Sequence, residues 1–343
     1  MWPYWLMFSI PAFAALSTEN RERSWGPWIA LGLFFTICIG FRFHVGGDWY
    51  NYQKLYELEI GRAFTDPIMG DSGYVLLNRL MLHLDWKIYG VNLVCGLIFT
   101  CGLTAFCRSL YRPWLGFAVA VPYLVTVVAM GYTRQSVALG LIFWALAYLE
   151  KGRFVHYVLL VSAATLFHKT AVIMIPLGMF LYRQGWLFRL VAVGLLTFGL
   201  WSAFVAQSSE HLWNAYVEQQ MQSQGAQIRV AMNFVAAVCL LVYWKQWKKV
   251  YPNALLWFWM SLAAVACVVL VNFASTAIDR ISLYLAPLQV VVYSRLPYLA
   301  RKQRPPETTV QWILFGYGAV LFVWLNFATH ARYWLPYRNI LFE

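Results

Sequence analysis

The side chains with most chemistry to offer crowd into residues 41–56, FRFHVGGDWYNYQKLY, where Arg42, His44, Asp48, Asn51, Tyr52 and Lys54 flank a Gly-Gly turn in an otherwise apolar chain. Ionisable groups recur beside later apolar runs: Asp71 in DSGYVLLN, Arg134 in GYTRQSVALG, His168 and Lys169 in TLFHKTAVI, Asp279 and Arg280 in FASTAIDRISLY, and Arg332 and Arg338 in HARYWLPYRNILFE. An arginine carries a planar fork of donors that matches phosphate oxygens, so Arg42, Arg134, Arg280 and Arg338 on one wet face would make an anion receptor. Asp48, His168 and Asp71 are the groups that could take a proton. Each has a blander reading. Arginine and lysine at the ends of spans can snorkel, and Asp279 with Arg280 could be a structural pair. His44 and Asp48, four residues apart, could share a metal, but two ligands without a third are a weak signal. The chain has no DxD pair, no GxSxG and no P-loop, so neither ATP nor nucleotide-sugar chemistry is indicated. No cofactor is implied.

The surrounding composition says where these groups must work. Of the 343 residues, 61% are hydrophobic and 12% charged, against about 45–50% and about 25% in an ordinary soluble domain. An all-α polytopic membrane protein is expected, forming a single integral membrane domain. The net charge of +12 would suggest nucleic acid in a soluble protein, but the basic residues sit in short clusters between apolar runs, so topology accounts for them and no nucleic-acid partner is expected. The six cysteines lie in or at the end of apolar runs, which argues for packing rather than a disulfide framework.

A helix needs about 20 apolar residues to cross ~30 Å of hydrocarbon. Runs near that length occupy 1–16, 25–40, 89–106, 113–130, 136–149, 154–167, 171–182, 190–206, 230–244, 254–274, 281–298 and 310–328, about twelve candidate transmembrane helices. The first lacks the basic start of a signal peptide and is expected to be retained. One set of connections carries 15 basic and 4 acidic residues and the other 11 and 10. The positive-inside rule puts the first set in the cytoplasm and both termini on the outer, periplasmic-type side. The outer side then carries two long loops, 41–88 and 207–229. In the first, Asp48, Tyr52 and Tyr56 fall on one helical face. Residues 71–84 can form an amphipathic helix with Val75, Leu76, Leu80 and Leu84 on its apolar face, lying along the outer membrane surface. Arg42, Arg134, Arg280 and Arg338 all fall on this outer side, where topology does not ask for them. Ionisable groups at membrane depth are costly and mark substrate paths or proton chemistry by default.

In order along the chain, FRFHVGGDWYNY, DSGYVLLN, TRQSVALG, LFHKTAVIMIP, AIDRISLYL and WLPYRNIL resemble the motifs of the EpsG-type Wzy polysaccharide polymerases. The chain departs from that pattern at Asp71, where glutamate is as common, and at Lys169, where a small polar residue is commoner. The resemblance implies a bacterial inner-membrane glycosyltransferase that polymerises undecaprenyl-pyrophosphate-linked oligosaccharide repeats at the periplasmic face. It would move the growing glycan to the non-reducing end of an incoming lipid-linked repeat. It also implies an all-helical fold resembling the membrane-embedded GT-C glycosyltransferases. On that reading Arg42, Arg134, Arg280 and Arg338 hold the departing pyrophosphate without a metal. Asp48, then His168, then Asp71 are candidates for the base, and Tyr52, Tyr74, Gln135 and Tyr337 contact the glycan. The partners are the lipid-linked oligosaccharide, the bilayer and a chain-length regulator docked on 207–229. A transporter or flippase is the alternative from another class, but the halves show no self-similarity of the kind carriers have. Another membrane glycosyltransferase, a ligase or an acyltransferase is the nearer rival.

Overall fold

The computed structural model describes residues 1–17, 24–181, 223–251, 253–303 and 305–343, with short pieces between 191 and 202. Most of the expected span at 190–206 lies outside the described residues, as does the expected loop at 207–229 as far as residue 222. Within the described residues the chain is helical, and its one strand-like feature is an isolated antiparallel bridge between Arg42 and Asn339.

The helices follow the apolar runs because a backbone in lipid must satisfy its hydrogen bonds within its own segment. They are α1 (Trp2–Ser17), α2 (Gly26–Gly40), α3 (Trp49–Glu57), α4 (Ser72–His83), α5 (Lys87–Ser109), α6 (Pro113–Ala120), α7 (Thr133–Leu149) and α8 (Phe154–Phe167). After the described gap come α9 (Ala226–Val242), α10 (Trp244–Val250), α11 (Ala254–Leu270), α12 (Ser275–Leu283), α13 (Pro287–Leu299) and α14 (Pro306–Phe327). A wide π-type coil, Val121–Ala129, continues α6, and a tight 3-10 coil, Lys169–Leu181, follows α8. Proline opens α6, α13 and α14 at the first helical position, where its missing N–H is not needed.

By length and hydropathy α5 and α14 are each able to cross a membrane, and α9 with α10 makes a third if that pair, bent by 78°, is one broken span. Gly26–Gly40, Pro113–Ala129, Phe154–Phe167, Lys169–Gly178 and Ala254–Leu270 are shorter apolar helices. The run at 281–298, expected as one span, is two helices separated at 284–286. Pro287 explains the break, since in a continuous helix its ring would strike the carbonyl four residues back.

Helices α2, α5, α7 and α8 pack side by side in that order, while α9, α11, α12 and α13 form a second group; α6 meets α13 from the second group and also touches α1 and α14. The α5–α7 crossing is the tightest. A Cβ on Gly102 would land on the Gly140 carbonyl, and one on Gly140 would lie 2.5 Å from Phe99 Cα. Small residues at a crossing let two backbones touch, the packing available to helices that gain nothing by hiding from lipid.

In α4, Tyr74, Leu77, Asn78, Arg79 and Met81 join Val75 against the protein, while Leu76, Leu80 and Leu84 point outward, the side that a helix lying along a membrane surface would turn to lipid. Arg79 holds the inner face. Its Nε donates to Glu59 Oε2 at 2.7 Å, its Nη1 to the Ala63 and Asp66 carbonyls at 3.0 and 2.9 Å, and its Nη2 to the Pro67 carbonyl at 3.2 Å. One guanidinium thus organises the loop before α4.

Candidate active site

The C-terminal end of α2, the N-terminal ends of α5 and α7 and the C-terminal end of α8 meet at one end of the first helical group, with α3 and α4 over them. Arg42 pins this meeting point. It is 1% exposed and donates from Nη1 to the Ile39 carbonyl at 2.5 Å, from Nε to the Val45 carbonyl at 3.2 Å, and from Nη2 to Asn92 Oδ1 at 3.1 Å and Thr133 Oγ1 at 2.9 Å. Ile39 is in the last turn of α2, whose carbonyls lack helical partners, and a cation there also complements the helix dipole. Thr133 is the first residue of α7. Arg42 therefore ties the end of one helix to the start of another and fixes the backbone immediately before Arg134.

Arg134 points the other way. Its side chain is 36% exposed, and Nη1 donates to Asp71 Oδ2 at 2.7 Å. Asp71 also takes the backbone N–H of Lys169, so this one carboxylate joins α4, α7 and the coil after α8. Burial raises the Asp71 pKa, and Arg134 and Lys169 work against that rise. Tyr52 lies under Arg134, its ring centroid 5.9 Å from the guanidinium carbon. Burial raises the Tyr52 phenol above its ordinary value, with Arg134 lowering it and Asp48 raising it. Tyr74 meets Tyr52 edge to ring at 5.6 Å, but it is buried and its hydroxyl has no hydrogen-bond partner among the described residues.

Arg280, on α12, comes to the same place from the second helical group. Gln135 Nε2 donates to the Arg280 carbonyl at 3.2 Å, which fixes α12 against the first turn of α7. His168 ends α8. Burial, and then the positive fields of Arg280 and Arg134, pull its imidazolium down to about 3, so near neutral pH it is an uncharged imidazole. Thr170 and Tyr284 hydroxyls meet at 3.1 Å beside it in sequence. Asp48, half-buried just before α3, accepts a hydrogen bond from Asn51 at 3.2 Å.

Several side chains that the sequence does not single out complete the site. Arg229 grips Asp279 with Nε at 2.6 Å and Nη2 at 2.7 Å, and Ser223 Oγ donates to the same carboxylate at 2.9 Å. Tyr132, the residue preceding α7, sits among these charges: burial raises its phenol, Arg229 and Arg280 lower it, and Asp279 and Asp48 raise it. Arg229 carried a readable signal, being one more outer-side arginine that topology does not require. Tyr132, Asn92 and Thr133 carried none, since each is an ordinary residue until the fold places it.

The structure therefore brings Asp71, Arg134, Gln135, His168, Arg280 and Tyr52 together, with Asp48 at the margin and Arg42 and Tyr74 beneath. Arg338 and Tyr337 belong to a C-terminal clasp on residues 41–46, beside Arg42. The Arg338 side chain is 53% exposed and approaches Glu343 at 3.5 Å. Tyr337 donates to the Cys38 carbonyl at 2.9 Å, part of a clasp in which Phe43 N–H reaches the Arg338 carbonyl, Ile340 N–H the Phe41 carbonyl and Gly46 N–H the Tyr333 carbonyl. Gly46 adopts φ +115° there, and a Cβ would collide with the Met130 carbonyl. His44 bonds Tyr50 through Nδ1 at 2.9 Å. Among the described residues no three His, Cys, Asp or Glu side chains gather as a metal site would require.

What this arrangement offers chemically is a half-exposed cluster of fixed cations around a neutral imidazole, bordered by a carboxylate. No curated protein matches the chain, and no solved structure does. One protein-family model does match, over residues 27–339, and its description is the EpsG family.

Proposed function

The chain belongs to the EpsG family, which makes it a membrane protein of the polysaccharide-polymerase type, and from that premise we propose that it is a glycosyltransferase acting on polyprenyl-pyrophosphate-linked oligosaccharides. The donor is a growing glycan on one lipid pyrophosphate. The acceptor is a hydroxyl at the non-reducing end of an incoming lipid-linked repeat. The C–O bond to the donor pyrophosphate breaks as the acceptor oxygen bonds to the anomeric carbon, and the lipid pyrophosphate leaves with the bonding pair. The observation that carries this reading is the tie that brings Arg280 to the first turn of α7 beside Arg134, Gln135 donating to the Arg280 carbonyl at 3.2 Å, with both arginines acting on His168. Positioned cations act where leaving-group charge develops, and these two come from helices far apart in sequence.

Roles follow from the contacts. Arg134 and Arg280 receive the pyrophosphate. Asp48 takes the acceptor proton, since it is the carboxylate at the margin without an arginine partner among the described residues. Asp71 aims Arg134. His168, uncharged, serves as a hydrogen-bonding group rather than as the base. Arg42 and Gln135 are positioning residues, and Tyr52 offers a ring beside Arg134 for a sugar face. Arg338 is too exposed and too far into the clasp to belong to this group, and Tyr337 acts as a strut. We take the chain as a single integral membrane domain of about twelve spans in the bacterial inner membrane, with this cluster and both termini on the periplasmic side and residues 207–229 as a dock for a chain-length regulator.

The experiment is reconstitution of the purified protein with lipid-linked repeats in detergent, where polymer formation without a second compartment excludes pure transport. Arg134→Ala and Arg280→Ala should each lower polymer about 10²- to 10³-fold, the loss typical of one preorganised electrostatic donor, with protein level and membrane insertion unchanged. Wild-type polymer from either variant rejects the anion-receptor assignment. Asp48→Asn should bind donor and fail to turn it over; normal turnover rejects Asp48 as the base.

A further inference from the structure

At the opposite end of α2, α5 and α7 from the arginine cluster, a groove of about 1240 Å³ runs between the three helices. It exceeds the roughly 300–1,000 Å³ of ordinary small-molecule pockets. Its composition changes along its length. At the mouth stand Arg108, Lys151 and Arg153, with Trp25, Trp28 and Tyr148 among them. Deeper in, the walls are Leu33, Leu97, Ala105 and Trp144. From Arg108 to Leu97 the axis of α5 advances about 16 Å at 1.5 Å per residue.

Among the described residues no carboxylate lines the groove. Glu150, next in sequence to Lys151, turns its carboxylate away to Arg295 at 3.1 Å and to the Trp257 indole at 3.3 Å. Arg108 is held in place, while Lys151 and Arg153 are exposed at the mouth. Arg108 lies 3.7 Å over the Trp25 ring and donates to the Ser24 carbonyl at 3.1 Å, and Arg153 lies 5.8 Å from the Tyr148 ring centroid. A site of this form has three positive charges at one end, a belt of tryptophan and tyrosine at the same level, and an apolar channel open to the side. That matches one occupant by charge and by shape: a membrane lipid whose headgroup is a net anion and whose acyl chain runs along α5.

We propose that the α2–α5–α7 groove is a binding site for an anionic glycerophospholipid, its phosphate between Arg108, Lys151 and Arg153 and one acyl chain against Leu33, Leu97 and Trp144. This site is separate from the arginine cluster and would occupy the other leaflet. It holds lipid at the face where α2, α5 and α7 pack, so occupancy should also stiffen that packing.

The test uses the full chain purified in a mild detergent, with retained lipid counted by native mass spectrometry. Dioleoyl phosphatidylglycerol is offered against dioleoyl phosphatidylcholine at equal concentration, with a polyprenyl phosphate in a third arm. The wild type should retain phosphatidylglycerol at least tenfold better than phosphatidylcholine. A cation near an anionic lipid contributes about fivefold, so the Arg108→Gln, Lys151→Gln, Arg153→Gln triple variant should lose on the order of 100-fold and bind both lipids alike. The Lys249→Gln, Lys302→Gln variant removes exposed cations outside the groove and should retain the preference. Gly32→Leu fills the channel, because a Cβ there meets only Thr104 Oγ1 at 4.0 Å; it should lower retention of both lipids without disturbing elution of the protein. Equal retention of the two phospholipids by the wild type overturns the proposal, as does a triple variant that keeps the preference. Stronger retention of the polyprenyl phosphate than of phosphatidylglycerol overturns the choice of occupant.

Discussion

Replacing Arg42 separates a residue that builds the site from one that touches substrate. In Arg42→Met the side chain keeps most of its length and loses every donor. Four hydrogen bonds go with it, to the Ile39 and Val45 carbonyls, Asn92 Oδ1 and Thr133 Oγ1. The threonine hydroxyl can turn to a new partner, but the other three acceptors are fixed and buried, and stranding a buried polar group costs about 1–3 kcal/mol each. Removing a charge from a buried place gives part of this back, so the net loss from three stranded acceptors should be about 3–5 kcal/mol. Against a total stability of roughly 5–15 kcal/mol that is large. The assay is loss of monodisperse protein on heating in detergent, where the midpoint should fall on the order of 10 °C. Arg42→Lys keeps the charge and one bond direction and should fall between. Polymer should fail in step with this loss, because Thr133 carries Arg134 beside it. If Arg42→Met abolishes polymer but melts within about 2 °C of the wild type, Arg42 contacts substrate and the positioning argument is wrong.

The remaining predictions concern the ties between helices. Asp71→Asn should lower polymer while leaving the chain folded, since Arg134 loses its 2.7 Å partner but stays half-exposed to water; unchanged polymer would mean the pair does not aim the guanidinium. His168 has a depressed pKa, so the unfolded chain binds a proton that the folded chain refuses, and stability should decline as pH falls from about 6.5 toward 3. His168→Gln should flatten that limb, and a turnover profile with a His168-dependent step between pH 5 and 8 would contradict a neutral imidazole. Glu150→Gln leaves Arg295 buried beside Trp247 and Tyr251 without its counter-charge, which should cost about 3–5 kcal/mol, whereas the Glu150→Gln, Arg295→Met double variant should recover most of it; thermal stability of both in detergent decides.

What the sequence reveals here is what a membrane imposes on a chain. Ten of the expected runs coincide with helices or coils because lipid demands a continuous apolar, internally bonded segment. Run 281–298 fails at Pro287, a residue visible in the sequence but one that an apolar run alone does not expose as a break. In α4 the apolar positions Leu76, Leu80 and Leu84 are legible and point outward, but the inner face is not legible: nothing local to α4 announces the loop that Arg79 gathers. The arginines are legible as anomalies, because topology does not ask for them on their side, but their roles are not. Arg42, Arg134 and Arg338 look alike in sequence, whereas in the fold one is sealed among neutral acceptors, one is half-exposed on a carboxylate and one hangs in a terminal clasp.

The balance of charge at the site gives these differences a single sense. Arg229 is matched by Asp279 and Arg134 by Asp71, while Arg42 is surrounded by neutral acceptors and Asp48 is the remaining carboxylate beside Tyr52 and Tyr132. With Lys169 and Arg280 included, five cations face three carboxylates, and His168 adds no charge near neutral pH. A lipid pyrophosphate arriving there brings at least two negative charges and would close the deficit. The cations paired with Asp71 and Asp279 hold their helices without it, and Arg42 is held by the end of α2. Positive charge held ready in this way favours a group whose negative charge grows during the reaction, because no side chain need move to meet it.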